Sequence, residues 1–372
     1  MNLLAYRNGP LFKRLFRKAA PLLKEQHERV GRKLNFMEVC GTHTVAFSKT
    51  GVRDLLAPYV NLISGPGCPV CVTDQSDIDQ MIAYAKCEDV IVTTFGDMMK
   101  VPGTKSNLYQ ERANGADIRI VHAPSQALEI AKDNPGKRVV FLGVGFETTA
   151  PSIALTLKKA KDQEVDNYYV YAAHKLTPPA VESLLQDSDH KIDGFVLPGH
   201  VSVIIGRDGW RGLEKYNVPA VISGFEPIDL LTSVVLLLKE MEKPMRVIQN
   251  NYQRNVREFG NERAKHLLGE VFKVHSPSWR GFGKLPESGL TIHSDYEKFD
   301  ARKNILAVKP KSRVVKGCRC GEIVKGKEGP FDCKLFATAC TPDNPLGPCM
   351  VSSEGTCSTY YQYERQKHSL SK

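Results

Sequence analysis

RVVFLGVGFETTAPSIALTLKKAK, residues 138–161, is the stretch that decides the fold class. It opens on a β-branched apolar run, breaks at glycine-rich GVGFETTAP (143–151), and resumes as a helical pattern from 151 to 161. A strand feeding a shaped loop and then a helix is the unit of a parallel α/β layer.

The unit recurs outward in both directions. Strands are predicted at 35–39, 60–64, 90–94, 119–121, 138–144, 168–172, 194–197 and 220–223. Helices are predicted at 45–56, 76–85, 124–132, 151–161, 178–186 and 229–241. The expected fold class is α/β, with parallel sheets covered on both faces. The longest apolar run, LLTSVVLLL (230–238), is too short to span a bilayer and reads as a buried helix. The 247–272 stretch reads as an amphipathic helix and 275–289 as a loop-rich connector. The basic start of the chain lacks an apolar core and a small-residue cleavage site, so a cytoplasmic protein is expected.

In such folds, sites form where loops leave the carboxyl ends of strands. Here those loops read CGTHT (40–44), GPGCPVC (65–71), TTFGDMMKVPG (93–103), GVGFETTAP, AAHKLTPP (172–179), LPGHVS (197–202) and SGFEP (223–227). The spacing from His43 to Cys68 nearly matches that from His174 to His200, which predicts a duplication into two similar lobes facing a cleft.

The formal charge is +10, with Lys and Arg concentrated in the first 33 residues and at 302–327. A solvated basic surface accounts for this; an acidic protein partner is another use. No nucleic-acid motif accompanies it.

Ten cysteines are split unevenly: Cys40, Cys68, Cys71 and Cys87 come early, and Cys318, Cys320, Cys333, Cys340, Cys349 and Cys357 crowd the tail. A large chain without a secretion signal points to metal or redox chemistry rather than a disulfide framework. The tail has one C-x-C and four scattered cysteines, unlike zinc ribbons or ferredoxin runs. A metal or cluster centre is expected there, since this composition builds no core alone; the choice of four thiols among six stays open.

Cys40 stands where a strand turns into a helix, with Thr42 or Thr44 available as cap, so a lowered pKa and a thiolate are expected. Its plain alternative is a small buried residue. Cys68 and Cys71 have redox spacing, with Thr73, Asp74 or Ser76 free to cap the following helix. A redox disulfide, half a metal site and two core residues all remain open. Asp97, Glu147, His174 and His200 complete the set; helix cap, surface residue and polar core residues are their structural readings. GVGFETT lacks the third glycine and the lysine of a phosphate loop.

FMEVCGTHT, SGPGCPVCVT, TFGDMMKVPG, GFETTAP, LPGHVSVIIG, SGFEP and the tail from GCRCGEIVKG to EGTCSTYY together resemble the HypD family of [NiFe]-hydrogenase maturation factors, over residues 36–361. The resemblance implies a scaffold on which an iron carrying two cyanides and one carbon monoxide is assembled. It also implies a HypC-type small chaperone, a HypE-type cyanide donor and, indirectly, the hydrogenase large subunit as partners. Carried onto this chain, Cys40 is the iron-ligating thiolate with His43 in support. Asp97 and Glu147 line the cleft, and Cys68 and Cys71 are a redox pair that transfers electrons to the iron or touches it. Cys318, Cys333, Cys340 and Cys357 hold a [4Fe–4S] cluster, leaving Cys320 and Cys349 as a second pair.

The implied organisation is a helical segment (1–32) packed with the C-terminal domain, a first lobe (33–122), a second lobe (123–240) and a helical, cysteine-rich iron–sulfur domain (241–372). Two other readings compete: an iron–sulfur-dependent thiol/disulfide oxidoreductase, and a zinc-stabilised binding module.

Overall fold

A computed structural model describes residues 3–370. Two parallel sheets carry the molecule. The first has the order β2–β1–β7–β8–β9, with β1 Leu34–Glu38, β2 Val60–Ser64, β7 Gly194–Pro198, β8 Ala220–Ser223 and β9 Gln249–Asn250. The second has the order β4–β3–β5–β6, with β3 Val90–Thr94, β4 Ile118–Ile120, β5 Arg138–Gly143 and β6 Tyr168–Ala172. Every residue of β3 and β7 is buried, as helices on both faces require. The α/β class and its two sheets are as the sequence predicts.

The lobes are not consecutive in sequence. The chain builds β1 and β2, crosses over to build all of the second sheet, then returns for β7 to β9. The expected boundary at 122/123 therefore cuts through the second sheet. It also undoes the apparent repeat: β1 and β2 are neighbours in one sheet, whereas β6 and β7 belong to different sheets. The two crossings carry GPGCPVC and AAHKLTPP.

Local differences have local causes. The helix expected at 45–56 is two, Gly41–Lys49 and Val52–Leu56, because the chain turns left-handed at Gly51 (φ 74°). The 247–272 stretch holds β9, an irregular loop and a helix only from Glu262 to Val271, which Asn261 caps through the Ala264 amide at 3.1 Å. The connector folds into two short antiparallel ribbons, Phe272–His275 with Gly289–Ile292 and Ser278–Trp279 with Gly283–Lys284. The long N-terminal helix Gly9–Val30 touches the start of the expected C-terminal domain, where its Gln26 donates to the Glu242 carboxylate at 2.8 Å. It buries Ala19 and Leu23 against the apolar helix Pro227–Met241 of the first sheet.

Nor is the cysteine tail a separate body. Cys320, Ile323, Val324, Cys349 and Met350 join the same core as Val39, Cys68, Cys71 and Val72. The tail is wedged at the junction of the two sheets, which supplies the burial its own composition lacks. No helix among the described residues is long and apolar enough to cross a membrane.

Candidate functional site

Sheet order locates the site. The first sheet reverses direction between β1 and β7, and the second between β3 and β5. Crevices open at such switch points, beyond the carboxyl ends of the strands. Cys40 follows β1, His200 follows β7, and Asp97 follows β3.

Cys40 caps the helix Gly41–Lys49 with its carbonyl, which accepts from the amides of His43 (3.0 Å) and Thr44 (3.2 Å). Neither threonine supplies the expected side-chain cap. The loop after β2 lies directly on it: the Gly41 amide donates to the Gly67 carbonyl at 3.1 Å. A Cβ on Gly67 would stand 2.4 Å from the Cys40 nitrogen, so only glycine allows this approach. Cys68 and Cys71 are joined in a disulfide, so in this state neither sulfur is a free thiolate ligand. Asp74 then caps the next helix through the Ser76 amide at 2.9 Å.

The Cys40 thiol is not lowered. Burial, and then the negative charge of Glu354, push it up to about 11, outweighing hydrogen bonds from Thr42 and His43. Glu354 belongs to the tail; its carboxylate accepts from the Thr42 hydroxyl at 2.6 Å. It also acts on Asp97, whose carboxyl is raised, chiefly by desolvation and then by Glu354. The sequence reading missed Glu354. It lies three residues before Cys357, and its only signal was that proximity.

His43 is fully buried, and its imidazole is lowered to about 4, chiefly by burial. Its Nε2 stands 3.0 Å from the Gly224 carbonyl, which fixes the proton there and leaves Nδ1 buried with no partner among the described residues. Phe225 is stacked between His43 (4.5 Å) and His200 (4.0 Å). Glu354 acts on Cys40, Asp97 and His200 alike, and with His43 and the disulfide these residues form one cluster at the strand ends.

Glu147 and His174 do not join it through any of their contacts. Glu147 is buried and accepts from the Thr177 amide (2.7 Å) and hydroxyl (2.8 Å), holding the start of the helix Thr177–Gln186. His174 is buried against Phe272, with neither ring nitrogen hydrogen-bonded among the described residues.

In the tail, Cys318, Cys320, Cys333, Cys340 and Cys357 line one closed space with Ile323, Leu335, Phe336 and Met350 as apolar walls. Cys349 lies behind it, fully buried. Cys320 and Cys349 are both free thiols here. Hydrogen bonds from Cys318, Cys349 and Cys357 hold Cys320 lowest of the set and raise its three neighbours. No three His, Cys, Asp or Glu side chains among the described residues converge on a single ion position. The short helix Pro69–Val72, which contains Cys71, packs against both Cys320–Val324 and Pro348–Val351. Cys71 Sγ lies 4.0 Å from the Pro348 carbonyl oxygen, one residue before Cys349.

A family model named HypD and described as the hydrogenase formation hypA family matches residues 14–364. The chain is 43% identical over 372 residues to the hydrogenase maturation factor HypD of Cupriavidus necator, covering 97% of both chains. It is 43% identical over 338 residues to that of Escherichia coli K12, covering 90% of this chain and 91% of the relative. The Rhodobacter capsulatus factor is 40% identical over 364 residues, covering 96% and 97%. This chain belongs to the HypD family of hydrogenase maturation factors.

Proposed function

We propose that the chain is a cytoplasmic scaffold for assembling the Fe(CN)2CO unit of [NiFe]-hydrogenases. It would work with a HypC-type chaperone and a HypE-type cyanide donor, and its cargo would reach the hydrogenase large subunit. The observation that carries the reading is that Cys40, a disulfide and the thiol-lined pocket of the tail lie side by side where sheet and tail meet.

Iron is the cargo and Cys40 its protein ligand. A buried thiol held near 11 binds iron only by giving up its proton, which couples loading to proton release. Soft thiolate donors suit low-spin Fe(II) bearing strong-field ligands. Glu354, the carboxylate that acts on Cys40, would receive that proton, while His43 stays neutral and presents Nδ1 as a lone pair.

Cys318, Cys333, Cys340 and Cys357 would hold a [4Fe–4S] cluster. Support comes from the donor chemistry: sulfur is the only ligand type lining the pocket, and its walls are apolar. Cys320 interacts with Cys318, Cys349 and Cys357, so the thiols are already gathered in one place. A bound cluster supplies one-electron redox chemistry. The chain's own part is the two-electron couple: the Cys68–Cys71 disulfide takes up two electrons and two protons to become two thiols. The interaction of Cys320 with Cys349, and the 4.0 Å approach of Cys71 to the Pro348 carbonyl, support an electron route between pocket and disulfide. Eight free cysteines fit a reducing compartment.

The test is anaerobic purification followed by iron analysis and infrared spectroscopy. Iron beyond what a four-iron cluster accounts for, with bands of bound cyanide and carbon monoxide that vanish in Cys40→Ala, is the expected result. Iron without those bands would support the thiol oxidoreductase instead. A colourless protein holding zinc would sink both.

A further inference from the structure

The segment from Ile305 to Lys316, ILAVKPKSRVVK, joins the last short helix beside the second sheet to the cysteine tail. It has no helix or strand of its own. It runs antiparallel along the helix Gln75–Ala85, held at a few points. The Ala307 carbonyl accepts from Gln80 Nε2 at 3.3 Å, Lys309 Nζ donates to the Ser76 carbonyl at 3.2 Å, and the Arg313 amide donates to the Thr104 hydroxyl at 2.9 Å.

Its surface is unusual in two ways. Leu306 is 90% exposed, Val308 88% and Val314 63%, the first two being the most exposed large apolar side chains among the described residues. Lys309, Lys311, Arg313 and Lys316 are interleaved with them, and the segment contains no acid. Side chains alternate as in a strand: Leu306 and Val308 point out around Ala307, and Lys311 and Arg313 point out around Ser312.

The backbone is equally open. The amides of Leu306, Ala307, Val308 and Lys309 donate to no protein atom among the described residues. Inward-facing Ser312 has a buried hydroxyl oxygen with no partner. Beside the segment is a cavity of about 300 Å3 with Lys86, Lys105 and Lys309 in its lining. Its one acid, Asp79, is already bonded by the Thr104 amide and hydroxyl.

An extended run with free amides, outward apolar side chains and unbroken positive charge is a template for strand addition. We propose that residues 305–316 are a docking edge for an extended acidic segment of a partner protein. The partner's main chain would pair with alternate amides of this run, those of Leu306 and Val308, its apolar side chains would cover Leu306 and Val308, and its carboxylates would face Lys309, Lys311 and Arg313. Charge complementarity selects this occupant: a second copy would bring the same cations together, and like charges opposed across an interface cost affinity.

The test uses the full chain and a fluorescent peptide of alternating glutamate and valine. Controls are a lysine–valine peptide and a short oligothymidylate. The glutamate–valine peptide should bind, slow hydrogen exchange at 306–309, and lose about tenfold in affinity when K309E, K311E and R313E are combined. Those side chains are exposed, so the fold should persist, which circular dichroism checks. Val308→Pro keeps every charge and removes one amide donor; it should weaken binding a few-fold. Unchanged exchange at 306–309, unchanged affinity in either variant, or tighter binding of the oligothymidylate at the same residues each overturns the proposal.

Discussion

Thr42 and Glu354 meet across the junction of sheet and tail. The Thr42 hydroxyl donates to the Glu354 carboxylate at 2.6 Å, tying the residue two places after Cys40 to the residue three places before Cys357. The cleft and the cysteine pocket are thereby coupled through one side chain, and Glu354 sets part of the Cys40 protonation state.

Removing that charge gives the first prediction. Glu354→Gln takes away a like charge beside the Cys40 thiol, so the thiol pKa falls and its thiolate fraction rises. Anaerobic alkylation of Cys40 at pH 8.5, followed by peptide mass spectrometry, should speed up by about two- to tenfold. Burial is the larger cause of the raised value, so reactivity should stay below that of a free thiol. An unchanged or slower rate would mean that Glu354 has no electrostatic hold on Cys40.

A second relationship ties the same parts from behind. Arg53 pairs with buried Glu38, two residues before Cys40, and donates to the Leu62 carbonyl (2.8 Å) and the Tyr360 hydroxyl (3.1 Å). Tyr360 shares the helix Thr356–Tyr363 with Cys357. Arg53→Met strands Glu38 as an unpaired buried carboxylate, so urea unfolding should show a loss of about 3–5 kcal/mol. Adding Glu38→Leu should restore much of it, because both charges then leave the interior together. A double variant no better than the single would refute the ion-pair explanation.

Glu147 makes stability depend on pH. Burial raises its carboxyl to about 7, against an ordinary 4.5, despite bonds from Thr177. The folded state therefore holds a proton that the unfolded state releases. The stabilising contribution is full below about pH 4.5 and is lost as pH rises through about 7. The loss approaches about 3 kcal/mol. Glu147→Gln keeps the shape and can still bond Thr177, so it should flatten the unfolding midpoint between pH 5 and 8. A variant with the wild-type slope would place that pH dependence elsewhere.

Strand positions were legible because parallel strands buried on both faces are written as β-branched runs, and β2, β3, β6 and β8 match the expected ranges. Which sheet each strand joins was not. The run 168–172 looks like the partner of 194–197, and nothing local says that the chain changes sheets between them. Chemistry at strand ends was legible for Cys40, Cys68 and Cys71, whose loops name themselves. Environment was not: a thiol at a helix start reads as activated, and only the folded chain reveals the burial and the Glu354 charge that reverse this. Glu147 and His174 carry the same residue types as the cleft but serve packing, which sequence alone does not separate.

Gly347 offers the sharpest test of the cysteine pocket. A Cβ there would stand 2.6 Å from the Cys320 sulfur and 2.7 Å from that of Cys318. Leu346, its neighbour, donates its amide to the Cys340 sulfur at 3.4 Å. Gly347→Ala therefore drives a methyl into two thiols while leaving every cysteine in place. If the pocket holds iron and sulfide, anaerobically reconstituted Gly347→Ala should bind them about tenfold more weakly, read as lost visible absorption and lower iron per chain. Alanine at Gly269, where a Cβ meets nothing within 4 Å, should behave as wild type and controls for a general effect on folding. Full iron loading in Gly347→Ala would show that the thiols facing it are not where the metal sits.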